Sequence, residues 1–433
     1  MRQISTLIIC LMFVGLLLSK ASAQVFTEKQ SRHRFAQLVL GADARYLFRD
    51  GNSAFLDDNG DLQTYELGNS LEPRLTISGL HFWGYAEFYV SFPISGIDFN
   101  KDDQVAKSYS TSVETGARVY PTQIEQGKIA PYLGLSFNNN FFRQRFRNSD
   151  EVGPAIQRGM IPLHAGLIYN HKSLLFEAGL SYFGAGEEEY YVSRTQSAPF
   201  ARPRLGLTLG AKWFLDTTVG LERAWESGKS AKQAQEMMDR GELNGLSVSV
   251  GPSSAFSMAR SSHNERTRPW LDDHAGSGIF VELGLGYYLA KPDLHFNLAW
   301  RRNASNIRGY GVEQSMRRQA FTLEAFKFLG DYHGFVPYIG PTISYEMLGG
   351  LELDRGNETL NLERTAILPG IIFGWDIRPN DVQTWLLRTN LRYAPFLTMD
   401  TPEGNALNFS QLEFNFITFV YYPGRAKRIK RYR

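Results

Sequence analysis

The sequence predicts an all-β fold, an antiparallel β-barrel that crosses a membrane. Three observations predict it: apolar residues recur with a period of two, the strand-like segments run about 10 to 15 residues, and their connections alternate between long and short. A strand points successive side chains to opposite faces, so this period marks a sheet with two different faces. A membrane barrel turns its apolar face to lipid and needs strands of about 9–11 residues, whereas strands in soluble sheets are about 5–6 residues long. Segment length therefore favours the membrane.

Residues 1–23 have the pattern of a cleaved secretory signal. Arg2 lies near the start, residues 7–18 form an apolar run too short to cross a membrane, and Ala21-Ser22-Ala23 precedes Gln24 as a small-residue cleavage site. We expect cleavage after Ala23, export, and a barrel over residues 24–422. Cleavage also removes Cys10, the only cysteine, so packing and backbone pairing must stabilise the exported chain.

The charge balance argues against a nucleic-acid partner. The chain has 46 Lys+Arg against 44 Asp+Glu, a net charge of +2, and nucleic-acid binders usually show a strong basic excess. The basic residues concentrate at the end of the chain. We expect residues 423–433 to form a basic periplasmic tail that lies against anionic head groups.

Alternation is clearest in residues 279–289, where the odd positions are all apolar and the even positions include Glu282, Gly284 and Gly286. The same pattern predicts lipid-facing even positions throughout residues 411–422, from Leu412 to Tyr422. In all, fifteen segments have strand character. They are 34–48, 73–82, 84–93, 110–121, 128–141, 160–170, 173–184, 203–215, 277–289, 292–302, 317–329, 333–347, 363–377, 382–395 and 408–422.

A closed antiparallel barrel with both termini on one side needs an even number of strands. The best additional candidate is 246–257, although Pro252 weakens it because proline cannot donate to a ladder. We therefore predict one barrel of about 16 strands, with 14 as the alternative. The long connections, among them 303–316, 348–362 and 396–407, are expected outside, and the short turns are expected in the periplasm.

The repeated unit of strand, tight turn and return strand resembles Gram-negative outer-membrane β-barrels. Residues 286–300 and 131–137 carry the likeness, and residues 411–422 resemble the aromatic-ended assembly signal of such barrels. The resemblance implies outer-membrane lipid as surroundings and the barrel-assembly machinery as a partner of the C-terminal strand. One departure is that eleven residues follow Tyr422, where that signal usually ends the chain.

The inward face is where a function would lie. A symmetric loop between 382–395 and 408–422 would put Glu413 opposite Asn390, between Arg388 and Arg392. Such a cluster fits either a solute path or a compensated network in the wall; the presence of both signs favours the network, because charges that leave water are usually paired. The predicted lumen-lining residues are Arg204, Lys212, Glu282, Asp293, His295, Asp376, Arg388, Arg392 and Glu413.

The connection 216–244 is too long for a periplasmic turn. Ser230-Ala-Lys-Gln233 has the form of a capping box, an apolar stripe follows, and Gly241 is a stop signal. This predicts one short periplasmic helix that packs on the rim, plugs the lumen or docks a partner.

Other chemical signals are weak. Asp57, Asn59 and Asp61 have the spacing of a calcium loop, but Leu62 and Gly68 occupy two positions that such a loop needs, which favours a solvated loop. No cofactor, metal site or catalytic motif is predicted. His164 and His295 are expected to face the lumen.

Three functions fit the sequence. A porin-like channel or transporter for an unidentified solute is favoured, and a non-conducting scaffold or accessory barrel of an envelope complex is the alternative. A lipid-modifying outer-membrane enzyme, with Ser and His from different strands, ranks third. The oligomeric state stays open.

Overall fold

The computed structural model describes residues 36–49, 51–94, 96–99, 105–146, 152–184, 187–215, 229–271, 276–332, 334–378 and 381–431. The predicted signal peptide and its cleavage site lie outside these ranges. We name the end of each barrel with the tight turns after β4, β11 and β17 periplasmic and the opposite end extracellular, as in outer-membrane barrels.

The described residues up to Leu215 contain fifteen strands. They are β1 (Ala36–Phe48), β2 (Asn52–Leu56), β3 (Leu62–Glu66), β4 (Ser70–His81), β5 (Ala86–Pro93), β6 (Ile97–Asp98), β7 (Val105–Thr111), β8 (Glu114–Val119), β9 (Ile129–Phe146), β10 (Ile156–Met160), β11 (Leu163–His171), β12 (Leu174–Tyr182), β13 (Glu187–Tyr191), β14 (Ser197–Ala201) and β15 (Leu205–Leu215), with a 3₁₀ turn at Phe82–Gly84.

Eight of these strands close into a ring, the first barrel, in the order β1-β4-β5-β8-β9-β11-β12-β15. β1 closes it, because Ala36 lies opposite His81 of β4 while Leu38 lies opposite Leu215 of β15. β6 pairs with β4, and β7 and β10 pair with the extracellular half of β9. The hairpins β2–β3 and β13–β14 arise from the extracellular connections.

The second half forms the second barrel. Its elements are α1 (Lys229–Asp239), β16 (Gly245–Ser257), α2 (Ser262–Thr267), β17 (Phe280–Leu289), β18 (Leu294–Gly309), β19 (Val312–Phe328), β20 (Phe335–Asp354), β21 (Asn357–Ile377), β22 (Trp385–Ala394), β23 (Thr398–Asp400), β24 (Ala406–Asn408), β25 (Gln411–Tyr421) and α3 (Pro423–Arg428), with a 3₁₀ turn at Ile429–Arg431. Strands β16 to β22 and β25 form a closed barrel of eight.

The prediction of one barrel with sixteen or fourteen strands is therefore wrong. The predicted segments do carry the ring strands, but β15 pairs with β1 and β16 pairs with β25, so each half closes on itself. The requirement for an even number of strands is met equally by one large ring and by two rings of eight. It therefore could not distinguish the two arrangements. Pro252 is accommodated within β16, where the pairing with β25 shifts between Val250 and Ser253.

Two connections predicted as long loops are tight turns. β18 and β19 continue to Tyr310-Gly311, and β20 and β21 continue to Arg355-Gly356. The φ angles are 48° and 81° in the first turn and 50° and 84° in the second. Two successive positive φ values suit the hairpin turns whose twist matches that of the flanking strands. Strands β18 to β21, 16 to 21 residues long, therefore extend well beyond a bilayer, which needs about 9–11 residues.

The strands have an apolar outer face and a polar inner face. Outward side chains such as Leu133 and Leu285 are 59% and 53% exposed, as expected for a surface that lipid covers. The alternation breaks in β25, where the pairing with β22 shifts between Arg388 and Asn390. Because of this bulge, Val420 and Tyr422 are buried among inward-facing side chains of the barrel, and the prediction that they face lipid is wrong.

A helix does lie in the predicted segment 216–244, but it is not the only one. α1 begins at Lys229, one residue before the predicted cap, and the chain leaves it through Gly241, whose φ is +69°. α2 and α3 add two short helices that the sequence did not reveal. Within the ranges that the structure describes, no helix has the length and apolar character needed to span a membrane.

Candidate functional site

The side chain of Arg392 spans the lumen of the second barrel. Arg392 projects inward from β22, and its Nη1 lies 2.9 Å from Glu282 on β17 and 2.8 Å from Glu413 on β25. Its Nε donates to Glu324 on β19 at 2.9 Å. One guanidinium thus joins carboxylates from three different strands.

Two further arginines complete this cluster. Arg301 Nε lies 2.6 Å from Glu413, and Arg318 donates to both oxygens of Glu346 at 2.8 and 2.7 Å. Arg318 also approaches Glu413 at 3.2 Å, so the pairs are linked. All members are nearly sealed from solvent. We call this set the central network: Arg301, Arg318, Arg392, Glu282, Glu324, Glu346 and Glu413.

An aromatic layer lies on the periplasmic side of the central network. Arg388 donates to both oxygens of Asp376, at 2.7 and 2.9 Å, and its guanidinium lies 4.9 Å from the Phe326 ring centre. His295 is fully buried and stacks on Phe326 with ring centres 5.0 Å apart. Its Nε2 is 3.2 Å from Ser247 Oγ. The imidazole is thus part of a packed layer.

α1 and the C-terminal tail close the periplasmic end of this lumen. Ala234 and Met237 of α1 are buried against lumen residues such as Leu386. Arg425 of α3 donates to the Leu243 carbonyl at 2.8 Å, and burial lowers its pKa to about 10. The expectation that the tail simply lies on head groups thus misses part of the arrangement, because α3 docks on the barrel.

The extracellular end of the second lumen is filled by connections. The hairpin β23–β24 inserts Met399 and Leu407, which are buried with Leu348 of β20. α2 covers the mouth, where Glu352 accepts hydrogen bonds from His263 Nε2 at 3.1 Å and Arg268 Nε at 3.0 Å. Burial alone would raise the pKa of Glu352, but hydrogen bonds from His263 and other neighbours and the Arg268 charge outweigh it and hold the pKa at about 2.

The first barrel is filled in a similar way. Lys212 Nζ lies 2.7 Å from Glu87 and 2.9 Å from Glu177, and Arg118 bridges the same carboxylates at 3.3 and 2.8 Å. Apolar clusters lie on both sides of this ionic layer. The periplasmic cluster is Val39, Leu80, Tyr120, Ala130, Tyr132, Ile168 and Leu175. The extracellular cluster includes Phe55, Tyr65, Phe142, Tyr190 and Phe200.

The predicted lumen residues do not share one lumen. Lys212 faces the first lumen, while Glu282, His295, Asp376, Arg388, Arg392 and Glu413 face the second. Arg204 is exposed just before β15, and Asp293 lies in the turn between β17 and β18, where it accepts a 2.6 Å hydrogen bond from the Tyr288 hydroxyl.

The predicted partner of Glu413 is also wrong. Glu413 lies opposite Arg392, while Asn390 lies opposite Asn415. The predicted register is two residues off, because β25 begins at Gln411 and not at 408, and Asn408 belongs to the β23–β24 hairpin.

Sequence reasoning missed a Ser–His contact in the first lumen. His164 Nε2 lies 2.7 Å from Ser136 Oγ, and its Nδ1 lies 2.8 Å from Ser181 Oγ. Symmetric pairing of the predicted strands 160–170 and 173–184 would place His164 opposite Gly179, whereas the structure places it opposite Ser181, so the predicted bounds do not reveal this contact. All three side chains are buried inside the barrel, where lipid has no access. Among the described residues, no three His, Cys, Asp or Glu side chains converge on a metal position.

The two barrels pack against each other through outward-facing side chains. Phe137 and Phe256 have ring centres 4.4 Å apart, and Phe88 lies 5.1 Å from Trp375. Phe256 is only 4% exposed although it points outward, because the other barrel replaces lipid there. We call this contact the seam. It comprises His81, Phe88, Val90, Phe92 and Phe137 of the first barrel and Phe256, Phe335, Trp375, Phe414 and Phe416 of the second.

Several solved structures are similar to this chain at low sequence identity. Neisserial surface protein A is 14% identical, with 42% of this chain and 96% of that chain covered and a TM-score of 0.27. The N-terminal β-barrel domain of Pseudomonas aeruginosa OprF is also 14% identical, with 42% and 99% covered and a TM-score of 0.25. OmpT of Vibrio cholerae is 9% identical, with 90% and 99% covered and a TM-score of 0.18.

These neighbours are outer-membrane β-barrel proteins. At such low identities and TM-scores the likeness does not extend to function. No family model and no curated protein sequence matches the chain. Closed antiparallel barrels with an apolar outer face are the architecture by which proteins cross the outer membrane, and this chain has that architecture.

Proposed function

We propose that the protein is a non-conducting outer-membrane scaffold, in which two fused barrels form a fixed base for the surface presented outside the cell. The proposal rests on one observation: Arg392 bridges Glu282, Glu324 and Glu413 across the second lumen and so blocks it. The interior of an eight-stranded barrel is just wide enough for side chains to fill it, so a water-filled path needs a larger ring. This geometry supports the scaffold over porin-like passage.

The extracellular surface supports the same role because it is built from both barrels. A cleft of about 470 Å³ lies between them. Arg158, Glu188 and Glu189 line it from the first barrel, and Arg260, Glu265 and Trp270 line it from the second. Charged and aromatic side chains in a composite cleft suit the docking of a polar partner, and the cleft exists only while the two barrels stay together.

Planar-bilayer recordings test whether either barrel conducts ions. Folded protein, identified by its heat-dependent migration on gels, should give no discrete conductance steps over a wide voltage range. A variant that replaces 396–409 with a short Gly-Ser linker serves as a control, since the network and α1 still fill the lumen and it should stay silent. Regular steps from the wild-type protein would overturn the proposal in favour of porin-like passage.

Site-specific photocrosslinking in intact cells tests the scaffold itself. A photoreactive residue at Glu189, which is exposed in the cleft, should give a discrete higher-mass product. The matched position Leu298 faces lipid and is 47% exposed, so it should give no protein product. Recovery of only the monomer from Glu189 would contradict a scaffold role.

A further inference from the structure

We propose that the seam holds one glycerophospholipid of the inner leaflet, with part of an acyl chain between the barrels and its polar part at His81. A cavity of about 90 Å³ lies in the periplasmic half of the seam. Leu38, Ile77 and Phe88 line it from the first barrel, and Trp375, Leu387 and Ile417 line it from the second. It is partly open to the surroundings, and at this depth the surroundings are hydrocarbon.

The walls of this cavity suit an acyl chain. Two outward hydroxyls contribute to it, but each donates to a backbone carbonyl: Thr115 to Tyr89 at 3.2 Å and Thr389 to Phe416 at 2.7 Å. These hydroxyls are therefore satisfied. Gln37 and Ser78 also line the cavity, but they belong to the inward face of the first barrel, opposite Leu80 and Val39. Apart from His81, the outward side chains left for a ligand are aliphatic and aromatic. Two convex barrels cannot meet flush along their length, and a flexible hydrocarbon chain fills the remaining gap without leaving a polar group unpaired.

His81 supplies the polar end. It is the last residue of β4, beside the periplasmic turn, and it faces outward although it is only 3% exposed. Its ring contacts Phe335 and Phe88, with ring centres 5.3 and 5.4 Å away. Its Nδ1 has no hydrogen-bond partner in the protein, which is costly for a buried polar atom. An ester carbonyl or phosphate oxygen at the membrane interface would accept a hydrogen bond from this imidazole.

Gly79 makes the placement of His81 possible. A Cβ at Gly79 would lie 2.7 Å from His81 Nε2, so the imidazole lies over the glycine and is held in the seam. A larger residue at 79 would displace the ring. The arrangement therefore holds a polar ring at the lipid-facing surface, at the depth where phospholipid head groups begin.

Native mass spectrometry tests the site. Protein reconstituted with dioleoylphosphatidylethanolamine and released from detergent should retain one lipid per chain. His81→Phe keeps the aromatic packing and removes the imidazole nitrogens, so it should retain about five-fold less lipid, the effect of losing one hydrogen bond. Thr115→Phe fills the cavity and should also reduce retention. The control His171→Phe alters another outward histidine, exposed at the end of β11, and should leave retention unchanged.

The outcomes are distinct. Equal lipid retention by the wild-type, His81→Phe and Thr115→Phe proteins would overturn the proposal, as would a wild-type adduct of detergent or lipopolysaccharide mass in place of the phospholipid. Heat-dependent gel migration of each variant shows whether it folds. If Thr115→Phe fails to fold, His81→Phe against His171→Phe decides the matter alone. Because the site faces lipid and not the lumen, a conducting wild-type protein would leave this result unaffected.

Discussion

Arg194 of the first barrel forms a two-point ion pair with Asp354 of the second. Its Nη2 lies 2.6 Å from Asp354 Oδ1, and its Nη1 lies 3.0 Å from Oδ2. The same guanidinium donates to the Tyr310 carbonyl, and the Tyr310 hydroxyl donates to the Tyr191 carbonyl. These contacts fasten the β13–β14 turn to the extended hairpins of the second barrel. The barrels are thus joined outside the membrane as well as along the seam.

Replacing Arg194 by Ala should weaken this connection. The pair is partly shielded, with side chains 28% and 25% exposed, so we expect the free energy of unfolding to fall by about 1 kcal/mol. Asp354→Ala should behave alike, and the double variant should cost less than the sum of the two, as measured by urea unfolding in lipid vesicles. Strictly additive single effects would show that the pair contributes no coupling energy.

Replacing Arg392 by Met should lower the free energy of unfolding far more than replacing Arg194 by Ala. Methionine keeps most of the volume but leaves Glu282, Glu324 and Glu413 without their shared cation, and breaking a buried pair in this way costs about 3–5 kcal/mol. Urea unfolding measures the loss, with Arg302→Met, at an exposed position on β18, as the control. A second substitution, Glu282→Gln, should recover part of the loss. An Arg392→Met protein as stable as the wild type would refute the importance of the network.

The attachment of α2 should depend on pH. The folded-state pKa of Glu352 is about 2, below its ordinary value, so its contribution to stability is complete above about pH 4.5 and is lost as the pH falls towards 2. Trp270 follows α2 and lies 5.6 Å from Arg268, one of the partners of Glu352, so its fluorescence should report the release. Glu352→Gln should remove the transition between pH 2 and pH 4.5. A transition of the same size in that variant would assign it to another carboxylate.

The turn at Arg355-Gly356 needs its glycine for backbone reasons alone. Gly356 has a φ of 84°, and nothing lies within 4 Å of an added Cβ, so Gly356→Ala should cost about 1 kcal/mol through the left-handed conformation. Gly278 also has open space around it but does not have a positive φ, which makes Gly278→Ala the matched control. Thermal unfolding midpoints compare the two variants, and equal midpoints would exclude backbone strain as the reason for glycine at 356.

Strand positions follow from the sequence because lipid imposes a period of two that is visible residue by residue. Ring closure does not, since whether β15 pairs with β1 or with β16 depends on contacts between segments far apart in the chain. The one local sign was the connection 216–244, whose length departs from the other periplasmic turns. The bulge in β25 was hidden for another reason, because Ile417 and Phe419 are as apolar as the residues they replace on the lipid face.

The sequence predicts that charged side chains pair inside the barrel, but it does not predict which residues form the pairs. Charged inward residues such as Arg392 and Glu413 stand out in an alternating strand, and pairing was the favoured interpretation. Their partners across the lumen, Glu282 and Glu324, lie 110 and 68 residues away in the chain and meet Arg392 only because the ring is small. The contact between the barrels could not be predicted from the sequence, because Phe256 in the seam is as apolar as a residue that faces lipid.

Closure of the first barrel by β1 and β15 sets a condition on how the protein reaches its final state. β15 ends at Leu215 with more than two hundred residues still to follow, so the strand that closes this ring against β1 lies inside the chain. A mechanism that recognises a terminal strand therefore does not act directly on β15. The first barrel must therefore close by pairing β15 with β1 while the rest of the chain is still attached. This happens either before the second barrel is inserted or while both barrels are still open.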